Sequence, residues 1–404
     1  MSVLIVGGGP AGVTTGLLLA RAGIDVRVVE REANFKRVFR GEGLMPSGID
    51  ALYQMGLGEL LESLPTRVME SWRMFIDGRP IFTVPEPYEE LGSRAMRIVP
   101  QVQFLERVVE EAARLPNFRF EFEQTFRDVI REDGRCVGAT LESAGGQRQD
   151  VTTELIIGCD GRGSVVRARA GIHLQLIPQA FDVLWFKLPA PASLCDGCSM
   201  LLMATTTTVG ACYTSWDGRL QYALMIPKGV KPPAETADLA EELCAPAPDW
   251  LAEHIRSVKD ELEGPVRLKL VIGRCPEWST PGLLLIGDAA HPMSPVRAQG
   301  INVALRDAIV TANQLVPVFA RGATPETIDA AARSVQAERE PEIIRAQHLQ
   351  YQDTRFWGTR WAPLFITIAK YIGPVMGRFD WAKNLWRNQQ RDLWFGSREV
   401  TLNV

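Results

Sequence analysis

Val3–Arg31 read VLIVGGGPAGVTTGLLLARAGIDVRVVER. The run Val3–Val6 is continuously apolar, the composition of a strand buried on both faces. It breaks into Gly7-Gly8-Gly9-Pro10-Ala11-Gly12, which supplies Gly-x-Gly-x-x-Gly. A helical stretch follows, then a second apolar strand that ends at Glu30. Strand, glycine turn, helix and strand in short succession predict the opening of a parallel sheet. Glycines let the backbone turn tightly and approach a pyrophosphate. The helix start then offers unpaired N–H groups and a partial positive charge. Glu30, 18 residues after Gly12, is spaced to accept hydrogen bonds from ribose hydroxyls. An acid there disfavours NADP as the tightly held dinucleotide and suits FAD or NAD.

The rest of the chain is read outward from that loop. At 404 residues it exceeds one compact core, so two domains or one domain with a large insertion are expected. Apolar residues are 46% and charged residues 23%, the balance of a soluble globular enzyme. A net charge of −4 does not point to nucleic acid. Seven scattered cysteines, an odd and low number, argue against a disulfide framework and for a reducing compartment, so a cytoplasmic protein is expected. Ser2–Val6 leads straight into the glycines, and no targeting segment is expected ahead of the fold. No run is expected to reach the roughly 18 apolar residues of a membrane span. Trp361–Met376 is broken by Pro363, Lys370 and Pro374.

A helix is predicted from about Gln103 to Arg114, just after Pro100. Strands are predicted at Phe118–Phe122, Gly138–Leu141 and Leu155–Ile157. Leu174–Lys228 carries few charges and is rich in Thr, Val, Leu and aromatics, so a separate sheet is expected there, covering something. Parallel-strand character returns at Gly282–Ile286, and helical character from Ile328 onward. The expected fold is α/β: a Rossmann-like dinucleotide domain with an inserted β-rich substrate domain and a C-terminal helical segment. Its pieces are residues 1–72, 95–173 and 266–327 for the discontinuous dinucleotide domain, 73–94 and 174–265 for the β-rich insert, and 328–404 for the helical end.

Two further motifs sharpen the function. One is Gly158-Cys159-Asp160-Gly161-Arg162-Gly163-Ser164-Val165-Val166-Arg167. The other is Gly287-Asp288-Ala289-Ala290-His291-Pro292, running on through Pro295 to Gln299-Gly300-Ile301-Asn302. With the first loop, in this order and spacing, they resemble the single-component FAD-dependent aromatic hydroxylases, the p-hydroxybenzoate hydroxylase-like flavoprotein monooxygenases. The resemblance covers roughly residues 1–320. It implies that Gly7, Gly9, Pro10, Ala11 and Gly12 hold the pyrophosphate, with Glu30 on the ribose and Arg31 beside it. Arg40 matches an arginine that reaches the phosphate or ribose region, and Gln101 a polar FAD contact at a helix start. Asp160 and Gly161 match a motif serving FAD and NAD(P)H. Asp288 matches the carboxylate on the ribityl side, with Pro295 opening the flavin loop. Gly300, Ile301 and Asn302 match a helix start beneath the flavin ring, where the helix end stabilises negative charge on reduced flavin. The activity implied is hydroxylation of a small aromatic or conjugated substrate by NADH or NADPH and O2, through a flavin C4a-hydroperoxide. The protein orients the substrate and excludes water.

One departure stands out. The family loop before Gln-Gly usually contains glycine, whereas this chain reads Pro295-Val296-Arg297-Ala298-Gln299-Gly300. Arg297 brings a permanent charge close to the expected flavin. Its partner is a protein acid, a carboxylate or phenolate on the substrate, or the flavin itself; an internal salt bridge or a solvent-facing side chain is the plainer alternative. Trp185, Tyr213 and Tyr222 are candidates to line an apolar substrate pocket against the β-rich segment, although a strand shows alternate residues to opposite faces. Cys195 and Cys198 are read as incidental loop cysteines and no metal site is expected. His291 is read as a structural turn residue. The C-terminal stretch is rich in tryptophan and interleaved cations; it suits packing on the flavin domain, a membrane surface or a dimer contact, packing being favoured. A monomer or homodimer acting on a small molecule is expected. Rival readings are a flavin-dependent reductase or oxidase, a halogenase and a non-enzymatic prenyl-protein carrier. The halogenase pattern Trp-x-Trp-x-Ile-Pro is not met at Leu220–Pro227, and a carrier would have decayed glycine motifs.

Overall fold

The apolar strands read from the sequence assemble into a six-stranded sheet. In order across it lie Ser279–Thr280, Leu283–Leu285, Leu155–Gly158, Ser2–Val6, Asp25–Val29 and Phe118–Glu121, all parallel but for the first. The computed structural model describes residues 2–36, 41–86, 91–233, 235–355 and 361–404. Ser2–Val6 is central because its residues are buried on both faces: Val3, Leu4 and Ile5 are essentially inaccessible. Helix Pro10–Arg21 packs on one side, against helix Gln101–Ala112 and the long helix Gln299–Ala320. The helix after Pro100 begins two residues earlier than its periodicity suggested, with Pro100 itself as N-cap. A three-stranded antiparallel sheet, Gln124–Glu132, Arg135–Ser143 and Arg148–Thr152, flanks this layer.

The second sheet has seven strands in the order Glu263–Leu268, Phe181–Pro189, Arg219–Pro227, Val209–Thr214, Ser199–Ala204, Ser71–Ile76 and Arg79–Pro85. One face buries Leu184, Phe186, Leu201, Cys212, Leu220, Tyr222 and Leu224 beneath helices Thr236–Cys244 and Asp249–Ser257. The opposite face looks toward the six-stranded layer. Period-2 alternation, not composition, decides which residue goes which way.

The chain is α/β, with the Rossmann-like layer, the β-rich cover and the helical end anticipated for it. Helix Gln299–Ala320 corrects one expectation: with the preceding turn it is long and apolar enough to cross a membrane. Its apolarity has another cause, since it is buried between helices Pro10–Arg21 and Pro325–Arg355. At the C-terminus, helix Ala362–Met376 packs Ala362 and Ile366 on Ile76 and Ile81. Its other face leaves Leu364, Ile368, Tyr371, Ile372 and Val375 exposed. Packing therefore accounts for one side of that helix only.

Candidate active site

Between the two sheets lies a cavity of about 1190 Å³. Gly7, Gly9, Pro10, Ala11, Glu30 and Arg31 line it, together with Gln101, Asp160, Gly161 and Asp288 and with Pro295–Ala298, Gly300 and Ile301. Among the helices that begin on it are Pro10–Arg21 and Gln299–Ala320. Neither has a side-chain cap or an acid in its first turn, so their leading N–H groups are left for an anionic ligand. The glycines are individually explained. A Cβ on Gly7 would meet the Cys159 carbonyl oxygen at 2.4 Å, and φ is +111° there. A Cβ on Gly12 would meet the Gly7 oxygen at 2.0 Å. At Gly9 it would meet nothing, so that glycine faces open space at the helix start. The long cavity with an open cradle at each uncapped helix end fits an extended dinucleotide such as FAD.

The acids that frame this cavity are already engaged. Glu30, buried, accepts from Gly8 N at 2.9 Å and Glu32 N at 3.1 Å, fixing the loop around the first helix start. Asp160 accepts from Ser164 Oγ at 2.5 Å, Val165 N at 2.7 Å and Val166 N at 3.1 Å. It thereby shapes the turn into helix Val165–Ala170, and burial raises its pKa above the ordinary carboxylate value. Asp288 is half-buried on the cavity wall, with Oδ1 about one atom's contact from Gly300. Arg31 pairs with Glu32 at 3.1 Å on the exposed rim. Arg40 lies outside the described residues. Two assignments need correction. Gly12 backs the loop instead of walling the cavity. The Asn302 side chain turns away from it, accepting from Met45 N at 2.8 Å and donating to Gly43 O at 3.2 Å. Only the backbone of Asn302 belongs to the helix start.

On the cover sheet, Val183, Trp185, Met200, Leu202, Tyr213, Ala223 and Met225 face the cavity. Of the three aromatic residues singled out, Trp185 and Tyr213 are therefore on the wall. Tyr222 is not: it is fully buried on the other face, and its hydroxyl donates to Leu243 O at 2.8 Å. Tyr213 donates to Gln221 Oε1 at 3.2 Å, and burial raises its phenol pKa well above the usual range.

Residues 1–342 match the family model described as "FAD binding domain". The chain belongs to that family. A curated relative, 6-methylpretetramide 4-monooxygenase of Streptomyces rimosus, is 32% identical over 365 residues, covering 87% of this chain and 83% of that protein. Squalene epoxidase 4 of Arabidopsis thaliana is 26% identical over 332 residues, 78% of this chain but 62% of the relative, so the chain spans about three fifths of that protein's length. Among solved structures, p-nitrophenol 4-monooxygenase PnpA from Pseudomonas putida DLL-E4 superposes with a TM-score of 0.79 at 18% identity, over 98% of each chain, which speaks to fold. This flavoprotein is an FAD-dependent monooxygenase of the aromatic-hydroxylase type.

In the flavoprotein's second loop, Arg297 and Ala298 adopt φ of +65° and +49°, the left-handed region that glycine normally fills. Left-handed backbone is thus reached without glycine, at a cost of roughly 1–2 kcal/mol per residue. The Arg297 guanidinium carbon sits 5.5 Å from the Trp72 ring centroid and 5.4 Å from that of Trp386. It lies over both indoles, which are themselves in tilted contact with ring centroids 5.8 Å apart, an arrangement absent from the partners considered for it from sequence. Trp386 comes from helix Asp380–Phe395, so this contact joins the C-terminal end to the cover sheet above the flavin loop.

Behind the same loop, Asp307 is fully buried. It accepts from Gly287 N at 3.0 Å, and its carboxylate lies 2.8 Å from both His291 Nε2 and Arg339 Nε. Glu342 joins Arg339 to Arg306. His291 therefore has the partner that sequence did not show, within a network that holds the Gly287-Asp288 turn. Glu42 was also missed as a site residue. It is buried on the cavity wall and accepts from Ser215 Oγ at 2.7 Å. The available signal was an acid between two glycines at Gly41-Glu42-Gly43, beside an apolar stretch.

Proposed function

We propose that this flavoprotein uses NADH or NADPH and O2 to hydroxylate an aromatic or conjugated small molecule held against the cover sheet. The observation that carries the reading is the single cavity shared by the uncapped start of helix Gln299–Ala320 and the apolar face that presents Trp185 and Tyr213. Bound FAD, once reduced by a nicotinamide, would supply the activation of O2. Gly7, Gly9, Pro10 and Ala11 would hold its pyrophosphate, with Glu30 and Arg31 at the ribose end. Gln101, Asp160, Gly161, Asp288, Pro295, Gly300 and Ile301 would line its flavin half. The helix start at Gln299 would stabilise negative charge on the reduced ring. Apolar walls orient a flat substrate, and Tyr213 with Gln221 offers a polar anchor.

Arg297 is proposed as the residue that attracts an anionic substrate group to the cavity, its guanidinium held in place by Trp72 and Trp386. The test is direct. Purified protein should be yellow, should oxidise NADH or NADPH faster when candidate phenols are added, and should transfer label from isotopic O2 into product. Label arriving from water, or none at all with substrate consumed, would replace monooxygenation by oxidase or reductase chemistry.

A further inference from the structure

Helix Ala362–Met376 is apolar on two opposite sides. Inward, Ala362 and Ile366 pack on Ile76 and Ile81. Gly373 and Gly377 bring its backbone against the edge strand Arg79–Pro85. A Cβ on Gly373 would meet Ile81 Cγ2 at 2.4 Å, and one on Gly377 would meet Phe82 Cβ at 2.5 Å. That close approach fixes which side faces the cover sheet. Outward, Leu364, Ile368, Tyr371, Ile372 and Val375 are 46% to 64% exposed, at spacings of three and four residues that place them in one stripe. Phe379, Trp381 and Leu385 follow directly and are exposed as well, with the Phe379 and Trp381 rings stacked at 6.5 Å. Helix Asp380–Phe395 leans on the same edge strand, through Trp386 against Phe82 and Arg387 donating to Pro85 O at 3.0 Å. Elsewhere exposed large apolar side chains are scattered, as at Val165, Leu176 and Val230. A contiguous apolar stripe marks a contact surface.

Charge says what the stripe meets. Residues 361–395 hold Lys370, Arg378, Lys383, Arg387 and Arg391 against Asp380 and Asp392, a net of +3 from five cations and two acids. The whole chain carries −4, so the rest of it carries −7. Lys370 is tied to Asp77 at 2.7 Å, and Asp392 to Arg345 at 2.8 Å, whereas Arg378 and Arg391 are exposed. Positive charge is thus concentrated beside the apolar stripe of an otherwise acidic molecule. A second copy seated on this face would set the same cations against each other, since a two-fold contact pairs a patch with itself. A surface of anionic headgroups over acyl chains satisfies both features at once. Tyr371 and Trp381 suit its boundary, where an apolar ring and a polar edge are both accommodated.

We propose that the outward face of helix Ala362–Met376, continued by Phe379, Trp381 and Leu385, lies on an anionic phospholipid surface. The helix rests in the plane of the headgroups without crossing the bilayer, its apolar side chains reaching the acyl boundary and Arg378 and Arg391 the phosphates. The inward side of the same helix lines the cavity with Ile366, Ala369 and Gly373. The docked lipid and the cavity are therefore one helix apart, about 10 Å. A substrate dissolved in the lipid has only that distance to travel. Docking involves no redox step, so it stands or falls separately from the monooxygenase reading.

The test floats FAD-loaded protein with vesicles through a density gradient. Vesicles of phosphatidylcholine mixed with phosphatidylglycerol should carry the protein with them. Vesicles of phosphatidylcholine alone should bind on the order of a hundredfold more weakly, since each net cation near an anionic surface contributes roughly a factor of five. Added salt should release the protein, because it screens exposed charge. Ile368→Ser combined with Ile372→Ser should weaken binding on the order of tenfold or more, with flavin absorbance as in the parent. Arg378→Glu combined with Arg391→Glu leaves the apolar stripe intact and should weaken it through charge alone. Leu176→Ser, at an exposed apolar residue away from the helix, should bind like the parent. A parent that floats with neither vesicle, a double variant that floats as the parent does, or an equal loss in Leu176→Ser overturns the proposal. So does a parent that sediments as a dimer and is split by Ile368→Ser with Ile372→Ser, because a second copy then occupies the face.

Discussion

The two loops that begin the cavity-facing helices solve one geometric problem with different residues. Gly7–Gly12 uses glycine where φ is +111° and where a Cβ would strike the neighbouring strand. Pro295–Ala298 reaches left-handed backbone through Arg297 and Ala298. The first loop must bring bare backbone close to a ligand and to the end of strand Leu155–Gly158, so side chains are excluded at Gly7 and Gly12. The second has room for side chains, so it can accept strain in exchange for what they reach. Here they reach the Trp72–Trp386 pair. A glycine-rich loop therefore marks close approach, and a left-handed arginine marks a side chain whose destination outweighs its backbone cost.

The largest expected effect tests the first loop. Gly7→Ala should yield protein without flavin colour or with greatly reduced solubility, because the Cys159–Asp160 backbone cannot move aside without parting two central strands. Normal visible flavin absorbance in that variant would show that the loop tolerates a side chain and would erase the contrast. The second loop depends instead on its buried charges. Asp307→Asn should cost about 3–5 kcal/mol in denaturant unfolding, because Arg339 and His291 lose their shared anion. Its pH dependence has a definite sign. Burial pushes the Asp307 carboxyl up, but His291 and Arg339 outweigh that and hold it down at about 2, against 3.8 for a free group. Its stabilisation is complete above the unfolded value and is lost as pH falls from about 4 toward 2. Acid titrations of parent and variant should therefore converge in that window; parallel curves would place the charge elsewhere.

Arg297 gives a smaller and more selective effect. Arg297→Ala and Arg297→Gly should both retain FAD and both weaken an anionic ligand by about 2–5 kcal/mol, leaving a neutral analogue nearly untouched. The glycine variant should be the more stable of the two by about 1 kcal/mol, since only alanine keeps the left-handed strain. Equal losses for both ligands in calorimetry would make the indole pair a structural clamp and nothing more. The smallest effect separates the two faces of the cover sheet. Tyr222→Phe should cost about 1 kcal/mol of stability through its lost bond to Leu243 and leave ligand affinity unchanged. Tyr213→Phe should lower ligand affinity, in addition to costing about 1 kcal/mol of stability through its lost bond to Gln221. If both variants moved affinity, the division of the sheet into a core face and a cavity face would be wrong.

Much of this was legible along the chain because it is local. Strand Ser2–Val6, the glycine turn and helix Pro10–Arg21 are specified within about twenty residues, by apolar runs and by glycines that only one backbone path requires. The Gly287-Asp288 and Asp160-Gly161 turns are likewise short and self-contained. The seven-stranded sheet was legible as strands but not as faces. Tyr213 and Tyr222 have similar neighbours in sequence, and their opposite fates follow from strand pairing that places Cys212 against Tyr222 and Tyr213 against Gln221.

What sequence alone determined, then, is the Rossmann-like layer, its glycine cradle and the flavin family, because each depends on backbone geometry that a few adjacent residues dictate. Tertiary structure alone decided the rest. It brought Trp386 across more than three hundred positions to meet Trp72 over Arg297, gave His291 its partner in Asp307, and set Glu42 beside Ser215. Those contacts join residues far apart in the chain through side-chain direction and packing. No local pattern encodes them, because the energy of a cation–ring contact, a buried ion network or a buried hydrogen bond exists only once the two sheets have closed on each other.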